Sequence, residues 1–488
     1  MDQQTFQERL TDISLVLLTF GVAFDLPLVH GRFLVVTFTE LLIGFVLTVA
    51  LARRLAALDP WIPETRFNSP LIACLAALMI SGIANPAYPG LAAKMVLRGI
   101  VVLVLYWAIH PWLAETRRVK LALGGLIAGF STLALIGFTE IWGIELIWPL
   151  LERFREQNIG TESTAVTQVF ESKTYREATQ ILAVGRTFRM RSVMVSPNIL
   201  GYVLAWGSFF IIALMGLIER KDERWGLGLA LTLILCAMTL TLSRGAFLVF
   251  VVSLAASAVA VFLRGRPSPE RRLVLGGIVL CLAILFPLTI FTSSLGKRLV
   301  GISDEQAPPV VVQTAPETEP DEQRSPESLE ESQETIVVNT DQRNTIAARI
   351  DLWSAAWRIF KDSPLTGAGP DSFRLLFLDT LPHKSLLIYE MTGIGRAHNI
   401  LFNTAAEQGL LGLAALVWLL LAILVSSARA LLSRNVSPVG WAAGCAGLLF
   451  LLGNMIDHLS DVYIYSLLFL LTLALLDQSL KTNRPPDS

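Results

Sequence analysis

Apolar residues in this 488-residue chain come in long unbroken runs, separated mostly by short polar stretches. A run of ~20 apolar residues is what a helix needs to cross a bilayer. The pattern predicts about twelve spans: 13–29, 33–51, 70–87, 91–110, 121–142, 199–218, 225–242, 245–263, 273–292, 409–426, 438–456 and 462–479. Met1–Thr11 is polar and the first run lacks a small-residue cleavage site, so that run is read as a true span. Two segments are too long and polar to be simple turns, 151–198 and 293–408. Within the second, 303–340 is rich in Pro, Glu, Ser and Thr and is expected to be a disordered acidic insertion. Beyond it Ile346, Ile350, Trp353, Trp357 and Phe360 recur every three or four residues. That spacing predicts an amphipathic helix over 344–361, lying on a membrane surface or packed on the loop's own core. Pro364 and the Gly367–Gly369 pair then stop it.

The expected architecture is an all-α polytopic membrane protein with three parts. Residues 1–292 hold spans one to nine with the loop 151–198, 293–408 form a large loop domain between spans nine and ten, and 409–488 hold the last three spans and a tail. Composition agrees: 53% of residues are hydrophobic, 16% charged, and the mean hydropathy is +0.58. The four cysteines all sit in apolar runs, which argues against a disulfide framework or a zinc site. No GxxxxGK[ST] loop is present, so nucleotide hydrolysis is not expected.

The formal charge of −1 conceals a partition, because 303–340 carries ten acidic residues and one arginine, leaving +8 elsewhere. With the N-terminus in the cytoplasm, seventeen Lys and Arg residues fall in cytoplasmic loops, among them Arg53, Arg54, Arg66, Arg117, Arg118 and Lys481. The short loops opposite then hold only Arg32 and Arg244. The positive-inside rule therefore places both termini in the cytoplasm and the two long segments outside.

Ionisable groups inside spans are costly and usually face a cavity or a partner. Asp25, Glu40, Lys94, Arg98, Glu140 and Arg244 all fall in the outer half on this topology, and Glu40 and Arg98, at matching depth, are expected to pair. The inner halves read as nearly all apolar. Arg244 is held in a tight Ser-Arg-Gly turn between two spans, and Arg186, Arg189 and Arg191 lie just ahead of Ser196-Pro197-Asn198 at the same mouth. There too lies Gly393–Gly412, where one of five histidines, His398, heads a predicted helix. Asn399, Asn403 and Glu407 follow it at i, i+4 and i+8 on one face. Asp457-His458-Leu459-Ser460-Asp461, with two carboxylates at i and i+4 beside a histidine, is a rival polar turn, either part of the same cavity or a separate metal site.

Three pieces of sequence resemble the bacterial O-antigen ligase and polymerase superfamily. They are His398-Asn399…Glu407-Gln408-Gly409…Gly412, Ser243-Arg244-Gly245-Ala246, and Arg349 followed by Pro364-Leu365-Thr366-Gly367-Ala368-Gly369-Pro370…Phe373. Their order and spacing cover most of the chain from about Arg186 onward. The resemblance implies a membrane glycosyltransferase of the bacterial inner membrane, acting on its periplasmic face. It would take a glycan from an undecaprenyl-diphosphate donor by a metal-independent, inverting route, without a cofactor or nucleic acid. Guanidinium forks suit a leaving diphosphate, giving Arg244, Arg186, Arg189 and Arg191 that role. A free imidazole titrates near ~6.5 and suits proton removal from an acceptor hydroxyl, giving His398 the base role. Asn399, Asn403, Glu407, Arg349, Glu40 and Arg98 are the expected supporting residues. The acceptor implied is a sugar of the lipid A core, with a polymerase or a protein-glycosylating relative left open. A bicarbonate transporter is the rival of another class, and it would need polar groups near the midplane with routes to both sides.

Overall fold

The computed structural model of the protein describes residues 3–24, 27–30, 35–141, 190, 197–262, 276, 310–313, 335–338, 345–380, 396–433, 436–457 and 463–482. Five helices come first: α1 (Gln3–Gly21), α2 (Phe38–Leu55), α3 (Asn68–Ala84), α4 (Pro89–Trp112) and α5 (Thr116–Ile141). Then follow α6 (Pro197–Leu217), α7 (Lys221–Leu240) and α8 (Arg244–Phe262). Beyond the acidic tract stand α9 (Thr345–Asp362), α10 (Phe373–Thr380), α11 (Ile400–Leu432), α12 (Pro438–Ile456) and α13 (Tyr463–Thr482). Two short antiparallel pairs complete the described elements. They are β1 (Pro27–His30) with β2 (Val35–Thr37), and β3 (Val310–Gln313) with β4 (Thr335–Val338).

Helices dominate because a backbone in hydrocarbon must satisfy its own polar groups. Seven of them are long and apolar enough to cross a membrane, namely α4 to α7 and α11 to α13, while α3 and α8 are shorter apolar helices. The chain is a multi-pass membrane protein. Helices stand at each expected span except 273–292, which lies outside the described residues apart from residue 276. Of the acidic tract only β3 and β4 are described, so its expected disorder lies outside the described residues, as do Asp25 and the loop 151–189.

The first two boundaries differ from expectation. Helix α1 starts ten residues early, at Gln3, and ends at Gly21 rather than 29, and a hairpin follows it. Its polar start is satisfied within the fold. Thr11 and Ser14 donate to the Gln7 and Thr11 carbonyls at 2.8 and 2.9 Å, and Glu8 and Asp12 bind arginines of α2 and α5. Gly125 and Gly129 of α5 then let the α1 backbone approach closely, because a Cβ at either would overlap it.

The core is built around α6, buried along nearly its whole length and covered by α5, α7, α8 and α12. Trp206 at its centre donates to Thr472 Oγ1 of α13 at 3.0 Å, so even this buried indole N–H is paired. On the other flank α11 packs against α3, α12 and α9. Helix α9 keeps its predicted position, but it packs on a small core of its own. Leu352, Ala355, Ala356 and Ile359 meet Phe373, Phe377, Ala397 and Ala406, while Ile350 and Trp357 stay exposed.

One end of the bundle contradicts the expectation of apolar inner halves. Arg53, Arg54 and Arg118, expected in loops, are buried. Arg53 bonds Asp59 at 2.7 Å and Glu8 at 3.1 Å, and Arg118 bonds Glu8 and Asp12. Beside them His110 of α4 meets Asp477 of α13 at 2.9 Å, and Lys481 bonds the same carboxylate at 2.9 Å. These charges are tolerated because each carboxylate is shared by several donors.

Candidate functional site

The opposite end of the bundle carries a broken helix. Within α11, Gly409 has φ 63° and ψ −156°, so the helix stops and restarts there. The freed backbone groups are met by the segment 364–369. Leu410 N and Leu411 N donate to the Pro364 and Leu365 carbonyls at 2.8 and 3.2 Å. The Ala406 and Glu407 carbonyls accept from Ala368 N and Gly369 N at 2.9 and 3.0 Å, and Ser81 Oγ of α3 adds a bond to Glu407 O at 2.7 Å. A break in the apolar zone is stable only when its polar groups are repaid in this way. Gly367 and Gly409 have positive φ, and a Cβ on either would overlap the facing backbone. The two glycine-bearing motifs therefore form one joint.

Just ahead of the break the chain is pinned residue by residue. Asn399 caps α11, its Oδ1 accepting from Leu401 N at 2.9 Å and Phe402 N at 3.3 Å, while its Nδ2 donates to Met455 O of α12 at 3.0 Å. Ala397 N donates to Asn403 Oδ1 at 3.3 Å, and Trp353 Nε1 donates to Ala397 O at 2.9 Å, with Trp353 stacked on Phe402. Between these fixed points His398 adopts φ +48°, a left-handed conformation that costs energy in any residue with a Cβ. Its Nδ1 lies 3.1 Å from Asp457 Oδ1, and Arg349 Nη2 of α9 lies 3.2 Å from the same oxygen. Asp457 is 9% exposed in its side chain and His398 is 31% exposed, so the ring opens outward from a buried carboxylate.

A second cluster braces this one. Arg396 binds Asp371 Oδ1 at 2.7 Å and Glu407 Oε1 at 3.2 Å, and Arg374 binds Asp371 Oδ2 at 2.8 Å. Glu407 also accepts from Phe373 N at 3.3 Å. Asn399, Asn403 and Glu407 thus share the α11 face read from their spacing. They fix the loop and the helix break, and the imidazole is oriented by Asp457, 59 residues further on. Arg396, Arg374 and Asp371 were not singled out by sequence. The one signal was the position of Asp371, also left-handed at φ 62°, directly after the Gly-Ala-Gly-Pro turn.

The Ser243–Arg244 turn reaches the same place. Ser243 Oγ accepts from Ala246 N at 3.4 Å and starts α8 with the exposed Arg244. A Cβ on Gly245 would lie 3.5 Å from Asp457 Oδ2, so Arg244 leaves the backbone beside the His398–Asp457 pair. Met190 N donates to Leu240 O at 3.0 Å, which ties that part of the chain to the end of α7. Arg186, Arg189 and Arg191 lie outside the described residues, as do His458, Ser460 and Asp461. Glu40 closes the capping box of α2, its carboxylate accepting from Thr37 N at 2.9 Å. Arg98 lines a cavity against α11. The cavity, of about 260 Å³, lies between α3, α4, α11, α12 and α13. It is walled mainly by leucines and phenylalanines, with Arg98, Asn403, Glu407 and Gln408 among its polar residues. Among the described residues, no three His, Cys, Asp or Glu side chains converge to hold a metal ion.

The structure is thus a helical membrane protein with a histidine, a carboxylate and arginines gathered at one end of its spans. Residues 229–417 match the family model described as O-antigen ligase, which places that segment in the O-antigen ligase and polymerase superfamily. The match takes in Arg244, Arg349, the 364–369 segment, His398 and the helix break, and it stops short of Asp457. No curated protein matches the chain.

Proposed function

We propose that the protein transfers a glycan from an undecaprenyl-diphosphate donor to an acceptor hydroxyl at the outer face of the bacterial inner membrane. The acceptor in this reading is a sugar of the lipid A core, which makes the protein an O-antigen ligase. One observation carries it: an outward-opening His398 fixed by Asp457, with Arg349 on the same carboxylate and Arg244 beginning the helix beside it. When Asp457 accepts from Nδ1–H, the lone pair sits on Nε2. Nε2 takes the proton of the acceptor hydroxyl as its oxygen attacks the anomeric carbon from the face opposite the diphosphate, inverting the configuration. The glycosidic C–O bond breaks, and the electron pair leaves with undecaprenyl diphosphate. Its growing charge is met by Arg244 and Arg349, with Arg189 and Arg191 as further candidates. The apolar cavity beside α11 suits the polyprenyl chain, with Arg98 at its wall. The positive-inside count supports the orientation.

The test is transfer by purified protein from a lipid-diphosphate glycan, with and without lipid A core, chelator present throughout. Product on the core, lost in His398→Ala, supports the ligase reading. A ladder of longer lipid-linked glycans formed without core replaces it with a polymerase. No transfer under either condition rejects both.

A further inference from the structure

Behind Asp457 lies a group that the proposed chemistry does not use. Tyr202, on the first turns of α6, is fully buried, and the side chain that its hydroxyl meets is Asp457. A Cβ on Gly245 would lie 2.8 Å from that hydroxyl and 3.5 Å from Asp457 Oδ2, so the two oxygens face the same small gap. Asp457 and Arg349 are the charges that act on the phenol, and Tyr465 of α13 stands next to it, its own hydroxyl already donating to Ile199 O at 2.8 Å. Asp457 Oδ1 is occupied by His398 and Arg349, while Oδ2 is turned toward Gly245. A buried phenol without an acceptor is costly, and the Asp457 carboxylate is the acceptor within its reach.

We infer that Tyr202 is a positioning residue, donating its hydroxyl to Asp457 Oδ2 and so fixing the carboxylate that holds His398. This rests on the reading of His398 as the general base. Gly245 keeps the gap open, which gives the glycine of the Ser-Arg-Gly turn a physical task. Among the described residues, the groups facing Asp457 are then His398 from the loop before α11, Arg349 from α9, Tyr202 from α6, Tyr465 from α13 and the backbone of the Arg244 turn. Tyr202 acts only through Asp457, and it touches neither donor nor acceptor.

The experiment compares Tyr202→Phe, Asp457→Asn, the double variant and His398→Ala, each checked by thermal melting, in kcat, KM and pH–rate profile. Tyr202→Phe is expected to lower kcat about fivefold to tenfold with KM unchanged. Without the phenol the carboxylate carries more charge and holds the imidazolium harder, so the acidic limb moves to higher pH. Asp457→Asn moves that limb to lower pH. The double variant should equal Asp457→Asn alone, since the phenol then has no carboxylate to hold. A Tyr202→Phe enzyme with wild-type kcat and profile, or a double variant weaker than Asp457→Asn by the full single effect, overturns the inference. Wild-type activity in His398→Ala instead overturns the general-base reading and takes this role of Tyr202 with it.

Discussion

The two ends of the helix bundle each hold a histidine against an aspartate, and the contrast separates a half-open pair from a saturated one. At one end His110 and Asp477 lie 2.9 Å apart with side chains 3% and 0% exposed. Lys481 and Arg66 share the carboxylate, and Gln478 donates to the His110 carbonyl at 3.0 Å. Every acceptor site of Asp477 is used, and no face of the ring is open. At the other end His398 and Asp457 lie 3.1 Å apart, the ring is 31% exposed, and its backbone is left-handed. A saturated, unstrained pair ties α4 to α13; a strained, half-open pair presents a nitrogen to whatever binds. Distance alone does not separate them. Exposure, backbone conformation and the number of competing donors do.

Substitutions should keep the two ends apart. The largest effect is expected from His398→Ala, which should lower transfer about 10³-fold while leaving thermal unfolding unchanged. Next comes Asp477→Asn, expected to cost about 3 kcal/mol of stability by leaving His110 and Lys481 without their buried partner. Thermal unfolding in nanodiscs reads it, and the folded fraction should keep wild-type kcat. If that variant loses turnover without losing stability, the far pair is part of the machinery and the contrast breaks. Gly409→Ala should cost about 2 kcal/mol through its positive φ, and more if the 364–369 segment is pushed out. The same melt, with transfer measured beside it, should show both falling together. The smallest effect is Arg349→Lys, expected to slow transfer about tenfold because an ammonium cannot hold Asp457 and a phosphate oxygen as a fork does. Turnover at saturating donor, against affinity for the donor, distinguishes the two contacts.

Much of this was readable from the chain. Long apolar runs place helices well, because the bilayer requirement is one of length and hydropathy, and the boundaries of 438–456 were predicted to the residue. His398 and Arg244 were legible as polar residues out of place at span ends. What was not legible depends on contacts between distant residues. The polar start of α1 looks unlike a span until Glu8 and Asp12 find Arg53, Arg117 and Arg118. The same arginines count as loop charges in a hydropathy plot, although Arg53 and Arg118 are buried at the ends of α2 and α5. Asp457 was read as the head of a rival turn that shares the cavity; its specific bond to His398 is set by α12 lying beside α11. Tyr202 had no signal, since one tyrosine in an apolar run reads as core.

The joint in α11 bears on how sequences of this kind can drift. All four bonds across the break run between main-chain groups, so the side chains of Leu365, Thr366, Ala368, Ala406 and Leu410 take no part in them. Relatives could exchange the exposed Leu365 and Leu410 while keeping the joint, whereas Ala406 is held by the small core it helps to fill. What cannot drift is the absence of a side chain at Gly367 and Gly409, two positions 42 residues apart. Ancestry in this part of the molecule is therefore written less in matching letters than in paired gaps, and a search keyed to those gaps should find kin that similarity of letters misses.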